Sequence, residues 1–338
     1  MIFSFLQLRG QILNKELPVW PTNNSDFLEK PLHISLINKP LESFLQATAS
    51  GVIQSATFGF VRNNGQRFHE GIDIKSVQRS RRGIPCDCVQ AVLKGTVVYL
   101  QKLPNKSSYG YYVVLEHGDE NFHYYTLYAH LAKINAGLFV GKKVKAGDNL
   151  GILGHTSSGG IPLIRAHTHF EIGVAVGSQA NFEKWYQSQN FKQKNLHGRW
   201  NGLNLIGLDP LAFFKSGMSF ENFYKKQPIA YTIRIKTKKQ PFFLQTHTSL
   251  LRNALLINRL CGWDLHFHAL GFIVEATPLY DQNLFQHFPK KGYKIFIKNL
   301  EEIGLWQNRH CIEFSRNNQP FLGKFMKKIY FLLFGENC

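Results

Sequence analysis

The sequence predicts a mainly β fold: an extended N-terminal arm over residues 1–50, an antiparallel β-sheet core over 51–216, and a small α+β domain over 217–338. Three observations lead there. Between residues 51 and 175, runs rich in β-branched and aromatic residues, such as 91–100 and 111–115, alternate with Gly95, Gly110, Gly118, Gly137, Gly141, Gly147, Gly151 and Gly154, the pattern of short strands joined by glycine turns. Before them, Pro18, Pro21, Pro31 and Pro40 punctuate a polar stretch, which argues for an irregular lead-in packed on the core. Beyond about residue 216 the chain becomes more basic and its pattern changes to mixed strand and helix signals.

The elements follow in order. Residues 182–186 (Phe-Glu-Lys-Trp-Tyr) predict a short helix in an insertion after the β core. In the last third, residues 230–236 and 271–276 read as strands, and residues 249–260 as an amphipathic helix opened by a serine or threonine cap. No run of about 18 apolar residues is available for a membrane span, because residues 325–334 are too few and include Lys327 and Lys328. Met1-Ile2-Phe3-Ser4-Phe5-Leu6-Gln7-Leu8 is apolar, but it lacks a preceding positive charge and is followed by Arg9 and Gly10 without a small-residue cleavage site, so it gives no convincing signal peptide.

Chemistry concentrates in four residues. His69 and Asp73 form HxxxD, and His167 and His169 form HxH about a hundred residues later. A catalytic zinc takes about three nitrogen or oxygen ligands from the protein and keeps one position open; two histidines and one carboxylate meet that count. Residues two apart on a strand share a face, so in Ala166-His167-Thr168-His169-Phe170-Glu171-Ile172 the two histidines project side by side while Thr168 and Phe170 face away. One can ligate the ion while the other stands beside its water. The chain has 14 histidines, and His266-Phe267-His268 repeats the HxH spacing without an HxxxD partner or glycine-rich context; it reads as a strand with two polar positions.

Further segments raise the specificity of this pattern: Phe58-Gly59-Phe60-Val61-Arg62, His69-Glu70-Gly71-Ile72-Asp73-Ile74, Ala91-Val92-Leu93-Lys94-Gly95-Thr96-Val97, Tyr109-Gly110-Tyr111-Tyr112-Val113-Val114-Leu115-Glu116-His117, Tyr128-Ala129-His130-Leu131 and Gly141-Lys142-Lys143-Val144-Lys145-Ala146-Gly147-Asp148-Asn149-Leu150-Gly151. In their order and spacing they resemble the M23 (lysostaphin-type, LytM-like) zinc metallopeptidases of bacterial cell walls. With an Asp209-Pro210 close like the family's, the resemblance covers roughly residues 50–215. It implies a LytM/lysostaphin-type core, one Zn2+ per catalytic domain held by His69, Asp73 and His169, and His130 and His167 flanking the metal-bound water. It also implies peptidoglycan peptides as substrate and a cell-envelope, periplasmic or extracellular location.

No HExxH motif with its glutamate base is present, which leaves His130 and His167 as candidates for general base and for stabilising the tetrahedral oxyanion. His117 and His155 read as turn-adjacent or rim residues. Between Gly154 and His167 the chain is longer than the family's compact glycine turn, so the loop bordering the cleft is expected to be unusual.

Two other readings are open. Residues 140–151 also resemble the hairpins of biotinyl and lipoyl carrier domains, but no matching lysine motif accompanies them. A non-catalytic LytM-like scaffold or amidase activator would keep the fold but typically loses a zinc ligand, and none is missing here. The net charge of +18 favours acidic surfaces. No nucleic-acid motif accompanies it, and Arg79-Ser80-Arg81-Arg82 reads as a solvated basic face. Five cysteines, an odd number in a chain too long to need a disulfide scaffold, read as small buried residues.

Overall fold

The computed structural model describes residues 17–28, 30–62, 67–290 and 292–338; the apolar stretch at Met1 to Leu8 lies outside them. The described lead-in is irregular and packed, as the prolines suggested, though it is built from short helical turns, Ser25–Phe27, Leu32–Ser35 and Leu41–Ser43. Trp20 anchors it. The indole sits among Phe27, Phe44 and Phe214 with ring centroids 4.6, 5.5 and 5.4 Å away, while the Val19 N–H donates to the Val92 carbonyl.

The described strands are β1 (Val61–Arg62), β2 (Arg67–Phe68), β3 (Ile72–Lys75), β4 (Cys88–Gln90), β5 (Gly95–Gln101), β6 (Tyr111–Asp119), β7 (Phe122–Leu131), β8 (Lys133–Ile134), β9 (Lys143–Val144), β10 (Asn149–Ile152), β11 (His167–Ala175), β12 (Leu205–Leu208), β13 (Tyr231–Ile235), β14 (Gly262–Phe267), β15 (Ile273–Leu279), β16 (Tyr293–Ile297), β17 (Ile312–Phe314) and β18 (Pro320–Leu322). The fold is mainly β and its ladders are antiparallel. The main sheet runs β12-β11-β7-β6-β5-β9, with β3 beside the first half of β11.

Strand alternation covers both faces of this sheet. Val113, Leu115, Tyr128 and Phe170 enter the main core, whereas Tyr112, Val114, Tyr125, Leu127 and Ala129 form a second cluster under Trp200 and Leu205. Because β11 is flanked along its length and covered on both faces, all nine of its residues are buried. Polar residues on such a strand must find partners within the protein, which is why this strand can hold a site in fixed geometry.

The helix predicted around residues 182–186 is Gln179–Ser188, capped by Ser178. The last third forms a four-stranded sheet, β15-β14-β13-β16, including strands at both predicted places. The C-terminal helix Lys324–Phe334 packs on Gln179–Ser188, with Leu332 against Gly177. One buried apolar cluster therefore runs from Trp20 to Phe334, across residue 217.

Three expectations fail. Residues 249–260 form no α-helix; they hold two single 3-10 turns, Thr248–Leu250 and Ile257–Arg259. The backbone is used otherwise: Leu251 bridges Ala276 of β15, Arg252 N–H donates to Ala276 O, and Tyr280 Oη ties Leu256 N and Ala254 O. His117 is neither a turn nor a rim residue but a buried member of β6, its ring held between Lys94 O and Thr126 Oγ1 at 2.7 Å each. Of the cysteines, Cys311 is buried, Cys88 and Cys261 are half-buried, and Cys86 and Cys338 are exposed; all are free thiols. In the His266-Phe267-His268 segment, β14 ends at Phe267, and His268 lies buried just beyond it, 3.1 Å from Glu302.

Candidate metal centre

Pairing of β3 with β11 sets Asp73 directly opposite His169, and β11 in turn pairs with β7 so that Ala129, one residue before His130, faces His169 from the other side. His69 precedes β3. Its backbone is fixed against the preceding segment, Gly59 N–H to His69 O and His69 N–H to Phe60 O, at 2.9 and 3.0 Å. Sheet register thus brings together residues a hundred positions apart.

His69, Asp73 and His169 are all buried, and one donor atom from each lies within 4.8 Å of the others. His69 Nε2 is 3.1 Å from Asp73 Oδ1 and 3.1 Å from His169 Nδ1, and His169 Nδ1 is 2.9 Å from Asp73 Oδ1. The outer nitrogen of each imidazole is already committed: His69 Nδ1 to Thr57 O at 2.7 Å, His169 Nε2 to Glu171 Oε1 at 2.8 Å. Such outer contacts fix the tautomer and aim the inner lone pair. The donor set therefore fits a divalent ion of the zinc type, with two imidazole nitrogens and one carboxylate oxygen converging.

Charge follows from this packing. For Asp73, burial favours the neutral acid, but His69 and His167 outweigh it and hold the carboxyl well below its ordinary range. Burial likewise opposes a charge on His169, yet the hydrogen bonds with Asp73 and Glu171 prevail and lift it to about 9 in the metal-free protein. Burial lowers His69.

His130 and His167 lie beside this cluster, their ring centroids 4.9 Å apart, with His167 Nε2 3.7 Å from Asp73 Oδ1. His130, the last residue but one of β7, takes a left-handed conformation, φ 60°. Its Nδ1 faces Thr156 O at 2.9 Å, and that of His167 faces Arg165 O at 2.7 Å. A carbonyl only accepts, so both Nδ1 atoms carry the proton and both Nε2 atoms are bare. Burial, reinforced for His130 by His167 and His169, depresses the pKa of each, which keeps the rings neutral and able to accept a proton.

The five residues singled out from sequence are thus gathered in one place. Others complete the surroundings. Glu171 is fully buried and takes hydrogen bonds from Tyr109 and Tyr125 as well as His169; its signal was the period of two that puts it on the face of His167 and His169. Arg62 reaches Asp73 Oδ2 at 2.6 Å and also contacts His69 and the Ser55 carbonyl, a contact that sequence spacing does not reveal. The long loop after Gly154 is fastened to the basic segment, where Arg79 donates to Gly83 O, Leu163 O and Ile164 O; Arg81 and Arg82 stay exposed. His155 is exposed and bonds within the loop to Ile161 O.

The model of peptidase family M23 matches residues 67–181. Among solved structures, the chain is similar to the catalytic domain of the prophage-encoded M23 protein EnpA from Enterococcus faecalis, with 24% identity, 38% of this chain and 79% of that one covered, and a TM-score of 0.27. It is also similar to the catalytic domain of the antimicrobial peptidase lysostaphin from Staphylococcus simulans, with 19% identity, 52% and 95% covered, TM-score 0.32. A zinc-containing peptidase from Vibrio cholerae gives 26% identity over 39% of this chain and 34% of that one, TM-score 0.26. No curated protein matches. The stretch matched by peptidase family M23, residues 67–181, holds His69, Asp73, His130, His167 and His169, on a mainly antiparallel β fold.

Proposed function

We propose that this protein is a zinc-dependent endopeptidase that hydrolyses peptide cross-links of bacterial peptidoglycan in the cell envelope. The observation carrying the proposal is the convergence of His69 Nε2, Asp73 Oδ1 and His169 Nδ1, with both outer imidazole nitrogens committed elsewhere, beside two neutral histidines. The match of residues 67–181 to peptidase family M23 suggests the substrate class.

A zinc ion held by His69, Asp73 and His169 supplies Lewis acidity to a carbonyl and lowers the pKa of water toward neutrality. The chain's own part is proton handling. The bare Nε2 of one of the two, His130 or His167, takes a proton from the attacking water; once protonated, that nitrogen can donate to the developing oxyanion before it returns the proton to the leaving amine. Protonation of either ring is stabilised at Nδ1 by a fixed carbonyl, Thr156 O or Arg165 O. The basic surface draws the protein to the carboxylate-rich wall.

Mass spectrometry of fragments released from purified peptidoglycan by zinc-loaded protein tests this, with His169→Ala and His167→Ala as controls. Cross-linked dimers should fall to monomers with wild type alone and identify the bond cut. Dimers left intact by a protein that binds zinc would sink the proposal in favour of a wall-binding scaffold.

A further inference from the structure

Arg309 and Trp306 belong to the last third of the chain, yet both sit against the segment that carries His69. The Arg309 Nη1 lies 2.5 Å from Glu70 Oε1, and its side chain is 6% exposed. The guanidinium is sandwiched between Phe68, on one side of His69, and Phe325 of the C-terminal helix, at 4.6 and 3.8 Å from the ring centroids. Glu70 also accepts from the Gly207 N–H of β12. The residues flanking His69, Phe68 and Glu70, are thus both gripped by one arginine, and the residue after Glu70, Gly71, packs so closely on Phe170 O that a Cβ would stand 2.1 Å from it.

Trp306 grips the other side of the same segment. Its ring lies 5.9 Å from Phe58 and 6.0 Å from Phe68, and any side chain at Gly59, φ 82°, would meet it at 2.6 Å. The Trp306 indole N–H is fixed to Glu302 Oε1, which also faces His268. Phe58 and Gly59 directly follow Thr57, whose carbonyl receives His69 Nδ1. Both supports of the His69 ring, its own backbone and the Thr57 carbonyl, therefore rest on residues 306–309.

Resting on the metal-centre reading above, we propose that Arg309 and Trp306 are positioning residues for His69, so that the C-terminal third braces the metal centre instead of serving only as an attached module. Arg309 ties Phe68 and Glu70 to the last third of the chain; without it, the backbone on both sides of His69 loses the contacts that hold it in place. By reciprocity, if docking of residues 306–309 raises metal affinity, metal binding must tighten that docking.

The test uses full-length protein. Zn2+ affinity is measured by competition with a chromogenic chelator for wild type, Arg309→Met, Arg309→Lys and Trp306→Leu, with circular dichroism as the folding control. Arg309→Met and Trp306→Leu should weaken binding about tenfold or more, the scale of contacts that orient ligands, and Arg309→Lys should recover most of the loss. Hydrogen exchange of wild type with and without Zn2+ needs no variant; amides in 299–311 should slow on metal binding along with those in 57–73. Folded variants with wild-type affinity, or exchange in 299–311 indifferent to Zn2+, would overturn the brace while leaving the metal centre standing. A wild type that binds no Zn2+ would overturn both.

Discussion

His169 and Glu171 lie two residues apart on the same face of β11, and His169 Nε2 donates to Glu171 Oε1 at 2.8 Å. Tyr109 and Tyr125 donate to the two oxygens of the same carboxylate at 2.6 and 2.8 Å. Burial favours the neutral acid, but the hydrogen bonds from His169 and the tyrosines outweigh it, and the Glu171 pKa falls below its ordinary value. An ionised carboxylate at this place locks the His169 ring and, in the proposed metal centre, would make it a stronger ligand through Nδ1. Glu171→Gln preserves shape but loses the charge, so Zn2+ affinity should fall roughly ten- to a hundredfold with the fold retained. Chelator competition measures it, and unchanged affinity would remove Glu171 from the site.

With His69, Asp73 and His169 holding the zinc as proposed, His130 and His167 should behave differently from those three. Replacing either with alanine leaves His69, Asp73 and His169 intact, so bound zinc should stay near one per chain. Hydrolysis should drop roughly a hundred- to ten-thousandfold, the usual contribution of a positioned proton-transfer group. The comparison is turnover against metal content by elemental analysis. Loss of metal from either variant would reassign that histidine as a ligand.

The site's inner residues were legible because strand period and motif spacing are local signals: HxH puts His167 and His169 on one face, and the glycine turns mark the strands around them. What was illegible depends on partners far along the chain. Residues 249–260 have helical spacing of leucines, but Leu251 and Arg252 find backbone partners at Ala276, and Leu250 and Leu260 enter the core at the two ends of the segment while Leu256 and Ile257 between them remain exposed, so the leucines are not buried as one helical stripe. His117, read beside Gly118 as turn-adjacent, is inside β6 because that strand continues through Gly118 to Asp119 opposite β7. Glu70 and Arg309 carry no local pattern that pairs them.

Gly110 connects stability to proton handling. It adopts φ 63°, and a Cβ there would stand 2.2 Å from Thr156 O, the carbonyl that receives His130 Nδ1. Thr156 Oγ1 also links Tyr111 N and Leu131 O, so the carbonyl cannot retreat without breaking those bonds. Gly110→Ala should cost about 1–3 kcal/mol from the strained backbone, and hydrolysis should fall further than the folded fraction does, since the His130 ring loses its anchor. Thermal melts and turnover per folded, zinc-loaded molecule separate the two effects. Unchanged turnover on that basis would sever Thr156 from the proton-transfer role.

Acid should destabilise the fold through histidines outside the metal centre. Burial drives His117 down to about 4 against the opposing hydrogen bond to Lys94 O, and drives His247, whose Nε2 faces His123 O at 2.6 Å, down to about 3. In the unfolded chain both titrate near 6.5. Between those values the unfolded state holds the extra proton, so stability rises with pH there: it is complete above about pH 6.5, falls as the pH drops, and levels off below each folded value. Each histidine contributes a slope of about 1.4 kcal/mol per pH unit, and His117 accounts for roughly 3 kcal/mol between pH 6.5 and 4. Urea titrations of metal-free wild type and His117→Gln across this range isolate the term, because every other group is common to both. The variant should be less stable than wild type at pH 7.5 and lose less on acidification, so that the curves converge toward pH 4. Parallel curves would mean that His117 does not stay neutral in the folded protein.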